Sequence, residues 1–212
     1  MLRVTDLSKV YDGNVVLRSI NLVVENFVGI HGPNGSGKST LLNVIAGIEK
    51  PTCGRVIFED EDITGLAAEK VARRGIAIVF QIPRPFKKLT VVENLTVASL
   101  MRRNREEAIE QAYRICSFVG LEGLEKQRAK DLSQGELRLL EIGKALATEP
   151  KLLLLDEPFS GLDVENARKV RKILLRVKKM GIAAIITAHR IKPLREIADI
   201  CYEMRGGRLA ES

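Results

Sequence analysis

The sequence has no tryptophan, 4% aromatic residues and three cysteines in 212 positions. Cys53, Cys116 and Cys201 are odd in number, widely spaced and free of any C-x-x-C pair. A disulfide framework or cysteine metal site is therefore not expected, and reduced cytosolic thiols are. No apolar run comes near the ~20 residues that a membrane-spanning helix needs. The longest candidates, 152–155 and 182–188, suit buried parallel strands. Met1-Leu2-Arg3-Val4 alternates like a strand and has no signal-peptide architecture. Concentrated basic charge is also missing. The net charge of +7 is spread over Arg73-Arg74, Lys87-Lys88, Arg102-Arg103, 126–130 and 168–179. With so few aromatics between them, these read as solvated helix faces rather than a nucleic-acid groove. A hydrophobic content of 45% is enough to bury the core of one α/β domain.

What the chain does have is glycine in a phosphate-binding arrangement. Gly32-Pro33-Asn34-Gly35-Ser36-Gly37-Lys38-Ser39-Thr40 fits G-x-x-x-x-G-K-[ST] at every fixed position. Phe27-Val28-Gly29-Ile30-His31 before it reads as a short buried strand, and Leu41 to Ala46 after it as a helix. That context turns a glycine turn into a nucleotide site. The glycines let backbone N–H groups curl around a β-phosphate, and the helix N-terminus adds positive dipole. Lys38 offers a mobile cation to the β- and γ-phosphates, and the Ser39 hydroxyl can ligate Mg²⁺.

Residues 2–25 alternate around Asp12-Gly13-Asn14, which predicts an antiparallel β layer. Tyr11, just before that turn, either packs the hairpin or gives a purine a flat platform flanked by Val16. A strand at 55–58 follows, then the acidic run Glu59-Asp60-Glu61-Asp62, which suits a solvated loop better than a metal site, and a helix ending at Gly75. Strand 76–80 delivers Gln81 at its end, and Pro83 and Pro85 hold the next segment extended. Thr90-x-x-Glu93 and Asn104-x-x-Glu107 predict two capping boxes. The second helix shows Ile109, Ala112, Tyr113, Cys116 and Val119 on one face. This helical block, from Pro83 to about Leu132, reads as a lobe inserted into the sheet domain. His31 is read as structural.

Ser133 and Glu136 form a third capping box at the start of a helix running to Ala147. A helix N-terminus containing Gly135 is also an anion site. Lys151 to Glu157 predicts a buried strand ending in two carboxylates, where ligands bind in open α/β sheets. Successive strand residues point to opposite sides, so Asp156 and Glu157 have different tasks. Asp156 is placed to hold the Mg²⁺ shell, and Glu157 to activate a water. Ser160-Gly161-Leu162-Asp163 turns into a helix through Val164, Ala167, Val170, Leu174 and Val177. His189 ends the next strand, beside the ends bearing Gln81 and Asp156-Glu157, which favours a γ-phosphate contact over a structural role. A hairpin over 200–210 closes the chain.

The phosphate loop, Gln81, LSQGE, LLLLDEP, SGLD and His189 occur in the order found in ABC-type ATPases, so the chain resembles their nucleotide-binding domain from Tyr11 to Arg208. The resemblance implies an α/β P-loop NTPase core with a mainly parallel sheet, an antiparallel β layer and a helical subdomain inserted at about 83–148, all within one domain over 1–212. It implies ATP and Mg²⁺, with Asn34, Gly35, Ser36, Gly37, Lys38, Ser39 and Thr40 around the phosphates. Ser39, Gln81 and Asp156 would serve the metal, and Glu157, His189, Gln81 and Lys38 the hydrolysis. Two such domains would meet head to tail. Ser133, Gln134, Gly135 and Glu136 of one would then contact the ATP of the other, with Asp163 at the seam. Gln81 and the segment after it would face a transmembrane permease, placing the chain at the cytoplasmic face of a membrane.

Phe80 to Phe86, Leu89 to Asn94 and Ala147 to Leu152 look most like ATPases of branched-chain amino-acid importers. Gln134, Glu136 and Arg190 depart from the commoner Gly, Gln and Asp, the turn at Glu25-Asn26 is short, and no regulatory tail is expected after Arg208. A soluble relative serving iron–sulfur assembly or nucleic acid, or a lipid or polysaccharide exporter subunit, would share these motifs. The chain lacks the long coiled-coil insertion of chromosome-type relatives and the paired domains of translation-type relatives.

Overall fold

The N-terminal alternation builds an antiparallel layer in the computed structural model, which describes residues 1–212. Strand β1 (Leu2–Tyr11) pairs with β2 (Asn14–Val24) on one edge and with β4 (Cys53–Phe58) on the other, and β5 (Glu61–Asp62) extends β4. Asp12 and Gly13 join β1 to β2 with φ of 45° and 83°, as a two-residue hairpin turn demands.

The second sheet has the order β10-β9-β3-β8-β7-β6, where β3 is Phe27–His31, β6 Ile76–Val79, β7 Leu152–Leu155, β8 Ala183–Ala188, β9 Ile200–Arg205 and β10 Arg208–Glu211. All but β10 run parallel. The four leucines of β7 show why the run is apolar throughout. Leu152 and Leu154 join a core with α1 (Lys38–Ile45), α2 (Ala68–Arg73) and the antiparallel layer. Leu153 and Leu155 join a second core with α3 (Val91–Ser99), α4 (Arg105–Phe118), α5 (Gln134–Ala147) and α6 (Val164–Lys179). A parallel strand is buried on both faces and leaves no room for a polar alternate. This is the expected α/β class, a mainly parallel sheet beside an antiparallel layer.

Several expectations need correction. The buried stripe of α4 is Ala108, Ala112, Ile115 and Cys116, while Ile109 and Tyr113 are exposed. Both stripes obey helical spacing, and packing against α3 and α5 selects the one with small residues. Asn104 caps α4 by accepting from the Glu107 N–H, but no reciprocal bond from Glu107 forms. Val164 is 76% exposed, and Ile173 takes the core place beside Val170, Leu174 and Val177. The acidic run is a turn at Glu59-Asp60 followed by β5, with Glu61 paired to Arg74. The short α7 (Lys192–Arg195) has too few residues to show a period. No helix is long and apolar enough to cross a membrane.

Candidate functional site

Because β3, β8, β7 and β6 are parallel neighbours, the segments following all four emerge at one edge. The loop after β3 is shaped by close approach. A Cβ on Gly32 would collide with the Met204 carbonyl oxygen. One on Gly37, at φ 108°, would lie 2.9 Å from Leu17 and 3.0 Å from the Val16 carbonyl oxygen. Helix α1 starts at Lys38 with no side-chain cap, which leaves its first N–H groups for a ligand. Lys38 is 4% exposed, and its ammonium donates to the carbonyls of Gly32 (2.8 Å) and Pro33 (3.1 Å). The Ser36 hydroxyl oxygen is buried without a partner. A buried cation, an orphaned hydroxyl and a bare helix start together fit a bound polyphosphate. Asn34, Gly35 and Ser39 are exposed at the rim, and Thr40 is half-buried.

The neighbouring strand ends complete the cluster. Glu157 Oε1 lies 3.4 Å from the Lys38 ammonium, and the Gln81 side-chain amide donates to Glu157 Oε2 at 3.3 Å. Asp156 turns inward and is nearly buried, whereas Glu157 adopts φ 45° and turns toward the phosphate loop. His189 and Glu157 line one cavity of about 200 Å³ together with Ser160, Thr187 and Arg190. Ser39, Gln81 and Asp156 supply hydroxyl, amide and carboxylate oxygens, a hard donor set that suits Mg²⁺. No group of three His, Cys, Asp or Glu side chains gathers here, so phosphate oxygens and water would complete the shell.

Gln81 is held from behind. Arg138 of α5, 2% exposed, donates to the carbonyls of Phe80 (2.7 Å) and Gln81 (2.5 Å). Burial pushes its guanidinium pKa down from the ordinary value, against the pull of Glu141 and Asp156. Nearly two turns further along, Lys144 donates to the Arg84 carbonyl and to Glu141. The proline-held segment therefore hangs on α5.

At the other end, the Tyr11 hydroxyl donates to the Glu49 carboxylate, which also accepts from Asn43 of α1 at 3.0 Å. The Lys9 ammonium sits 4.7 Å from the ring centroid. Burial first, and Glu49 second, push the Tyr11 phenol up to about 12. The ring is thus tied to the phosphate-loop helix while 37% of the residue stays exposed, with Val16 half-buried on β2.

Ser133, Gln134, Gly135 and Glu136 form a separate cluster and make no bond to the phosphate loop of their own chain. The Ser133 N–H and hydroxyl donate to Glu136 Oε2 at 2.7 and 2.8 Å, and the Glu136 N–H returns to Ser133 Oγ at 3.3 Å. A Cβ on Gly135 would collide with the Asn166 side chain, and one on Gly161 would touch Gln134. Asp163 caps α6 by accepting from Asn166, which holds its carboxyl below the usual range. Sequence reasoning missed Glu49, Arg138 and Thr187, none of which falls inside a motif.

The family model described as "ABC transporter" matches residues 18–160. A probable branched-chain amino acid transport ATP-binding protein of Archaeoglobus fulgidus is 36% identical, covering 98% of this chain and 86% of the relative. Its counterpart in Methanocaldococcus jannaschii is 39% identical over 85% of this chain and 76% of the relative. The lipopolysaccharide export system ATP-binding protein of Escherichia coli K12 is 32% identical over 98% of this chain and 88% of its own. Among solved structures, an ATP-binding cassette of an ABC transporter in its ADP conformation superposes with a TM-score of 0.90 at 34% identity, covering 100% of this chain and 90% of that one. A dimeric cassette in a post-hydrolysis state with ADP and phosphate gives 0.91 at 27% identity, covering 100% and 98%.

Proposed function

This chain belongs to the ABC transporter family as an ATP-binding and ATP-hydrolysing subunit, and we propose that it powers import of branched-chain amino acids through a membrane permease. The observation that supports this substrate class is the 36% and 39% identity to two archaeal proteins so described. In this reading ATP is held by Tyr11 and Val16 at its base and by residues 34–40 at its phosphates. Mg²⁺ held by Ser39, Gln81 and Asp156 would neutralise phosphate charge. Phosphate entry draws Lys38 from the Gly32 and Pro33 carbonyls and loosens its ion pair with Glu157. Glu157 is then free to accept a proton from the attacking water, worth ~10²–10⁴ in rate. Gln81 orients Glu157, and His189 donates to a γ-phosphate oxygen. Lys38 and the loop amides stabilise the charge that develops.

Ser133, Gln134, Gly135 and Glu136 have no phosphate partner in their own chain, which supports a second copy or a related ATPase as the partner. The subunit would work at the cytoplasmic face of a membrane, peripheral to the permease. Cells lacking the chain should lose uptake of radiolabelled leucine, isoleucine and valine, and the wild-type chain but not Glu157→Gln should restore it. Unchanged uptake with altered envelope lipid would instead favour the exporter reading, which the 32% identity to a lipopolysaccharide export protein supports.

A further inference from the structure

We propose that Thr187 is a positioning residue for ATP hydrolysis, and that its single hydroxyl fixes Asp156 and Glu157 relative to each other. The proposal rests on the reading of Glu157 as the base and of Asp156 as a metal ligand.

Strand β8 reads Ala-Ala-Ile-Ile-Thr-Ala and is buried along its whole length. Thr187 is its one polar side chain, at 0% exposure. Valine has the same shape and would suit such a strand equally well, while a buried hydroxyl is costly unless bonded. The hydroxyl is bonded on both sides. It donates to Asp156 Oδ1 at 2.7 Å and accepts from the Glu157 N–H at 2.9 Å. The Leu155 carbonyl, at 3.5 Å, is too distant to compete for the hydrogen.

These bonds fall where the sheet ends. The β7–β8 ladder stops at Leu155 opposite Ile186, and the Asp156 N–H still reaches Val79 O of β6 at 2.9 Å. The next N–H, of Glu157, has no strand partner left, and the Thr187 hydroxyl takes that place. Glu157 is also where the chain turns left-handed, at φ 45°, a conformation that a non-glycine residue holds only when its surroundings impose it. The Leu155–Asp156 peptide is thus held from β6 and the Asp156–Glu157 peptide from β8. One carboxylate is directed inward to Thr187, and the other outward to Lys38 and Gln81. His189 follows two residues later, just past the end of β8, so one strand end carries all three groups.

Steady-state ATP hydrolysis should be compared for wild type, Thr187→Val, Thr187→Ser and Glu157→Gln, together with amide hydrogen exchange over 155–157. Loss of a hydrogen bond to a charged group predicts a kcat for Thr187→Val lower by roughly 10- to 100-fold. KM for ATP should change less than kcat, because the phosphate-loop and base contacts to ATP are left in place. Thr187→Ser keeps the hydroxyl and should stay within about threefold of wild type in kcat. Exchange at Glu157 should quicken in the Val variant and not in the Ser variant, a readout that needs no turnover. A Val variant with wild-type kcat and exchange overturns the proposal. So does a Ser variant as slow as Val, which would make the position a packing constraint. Wild-type hydrolysis by Glu157→Gln refutes the base assignment separately; a slow, fast-exchanging Val variant would then still support the proposal through Asp156.

Discussion

Tyr11 shows how one side chain can carry two separable interactions. Its ring is the proposed platform for the base, and its hydroxyl reaches the Glu49 carboxylate, which Asn43 ties to α1. Replacing Tyr11 with Ala removes the stacking surface, worth ~1–3 kcal/mol, so the Kd for ATP should rise roughly 5- to 150-fold in a fluorescent-nucleotide titration. Tyr11→Phe keeps the ring and should stay within a few tenths of wild-type binding energy, about twofold in Kd. Equal losses in both variants would mean that the hydroxyl latch, not the ring, holds the base. Tyr11 draws attention in the sequence by its place before a turn in an alternating segment. Glu49 was not, because it lies 38 residues away in sequence and only folding brings it to the ring.

Among the elements, α5 connects the proline-held segment to the Ser133 end. Its N-terminus presents Ser133 and Gly135, its middle grips the Phe80 and Gln81 carbonyls through Arg138, and Lys144 reaches Arg84. The proline-held segment and the Ser133 end are therefore carried by the same helix. The cap at Ser133 is matched by the one at Thr90 on α3, with the same reciprocal glutamate bond. Either Thr90→Ala or Ser133→Ala should cost ~1 kcal/mol, about 2–4 °C in Tm. Only Ser133→Ala should also abolish ATP-dependent dimerisation of a Glu157→Gln background in size-exclusion chromatography. If Thr90→Ala does the same, dimer loss reports on helix stability and not on a phosphate contact. Both caps were readable because capping is local, within four residues. The buried face of α4 was misread for the opposite reason: Ile109 and Tyr113 are large and periodic, but only contact with α3 and α5 decides that the alanine stripe turns inward.

For the whole molecule, the phosphate loop, Gln81, Asp156-Glu157 and His189 could be aligned from sequence because parallel strands fix which way each end points. The strand order that makes them neighbours is a tertiary fact. The same geometry leaves Ser133 and Gly135 without a phosphate partner inside one chain, and that asymmetry gives a decisive test. In the proposed head-to-tail dimer each site would take Lys38 from one protomer and Ser133 from the other. Lys38→Ala and Ser133→Ala homodimers each have two damaged sites. Mixing the two variants puts both lesions into one site of the heterodimer and leaves the other site intact. An equimolar mixture should thus recover roughly a quarter of the wild-type sites, half the dimers with one good site of two, if subunits exchange freely. The double variant Lys38→Ala/Ser133→Ala mixed with wild type supplies the control, since each mixed dimer then has two half-damaged sites. Recovery in the first mixture with none beyond the wild-type homodimers in the second requires sites shared between chains. No recovery in the first would place Ser133 and Lys38 in the same site of one chain, contrary to their separation in the fold.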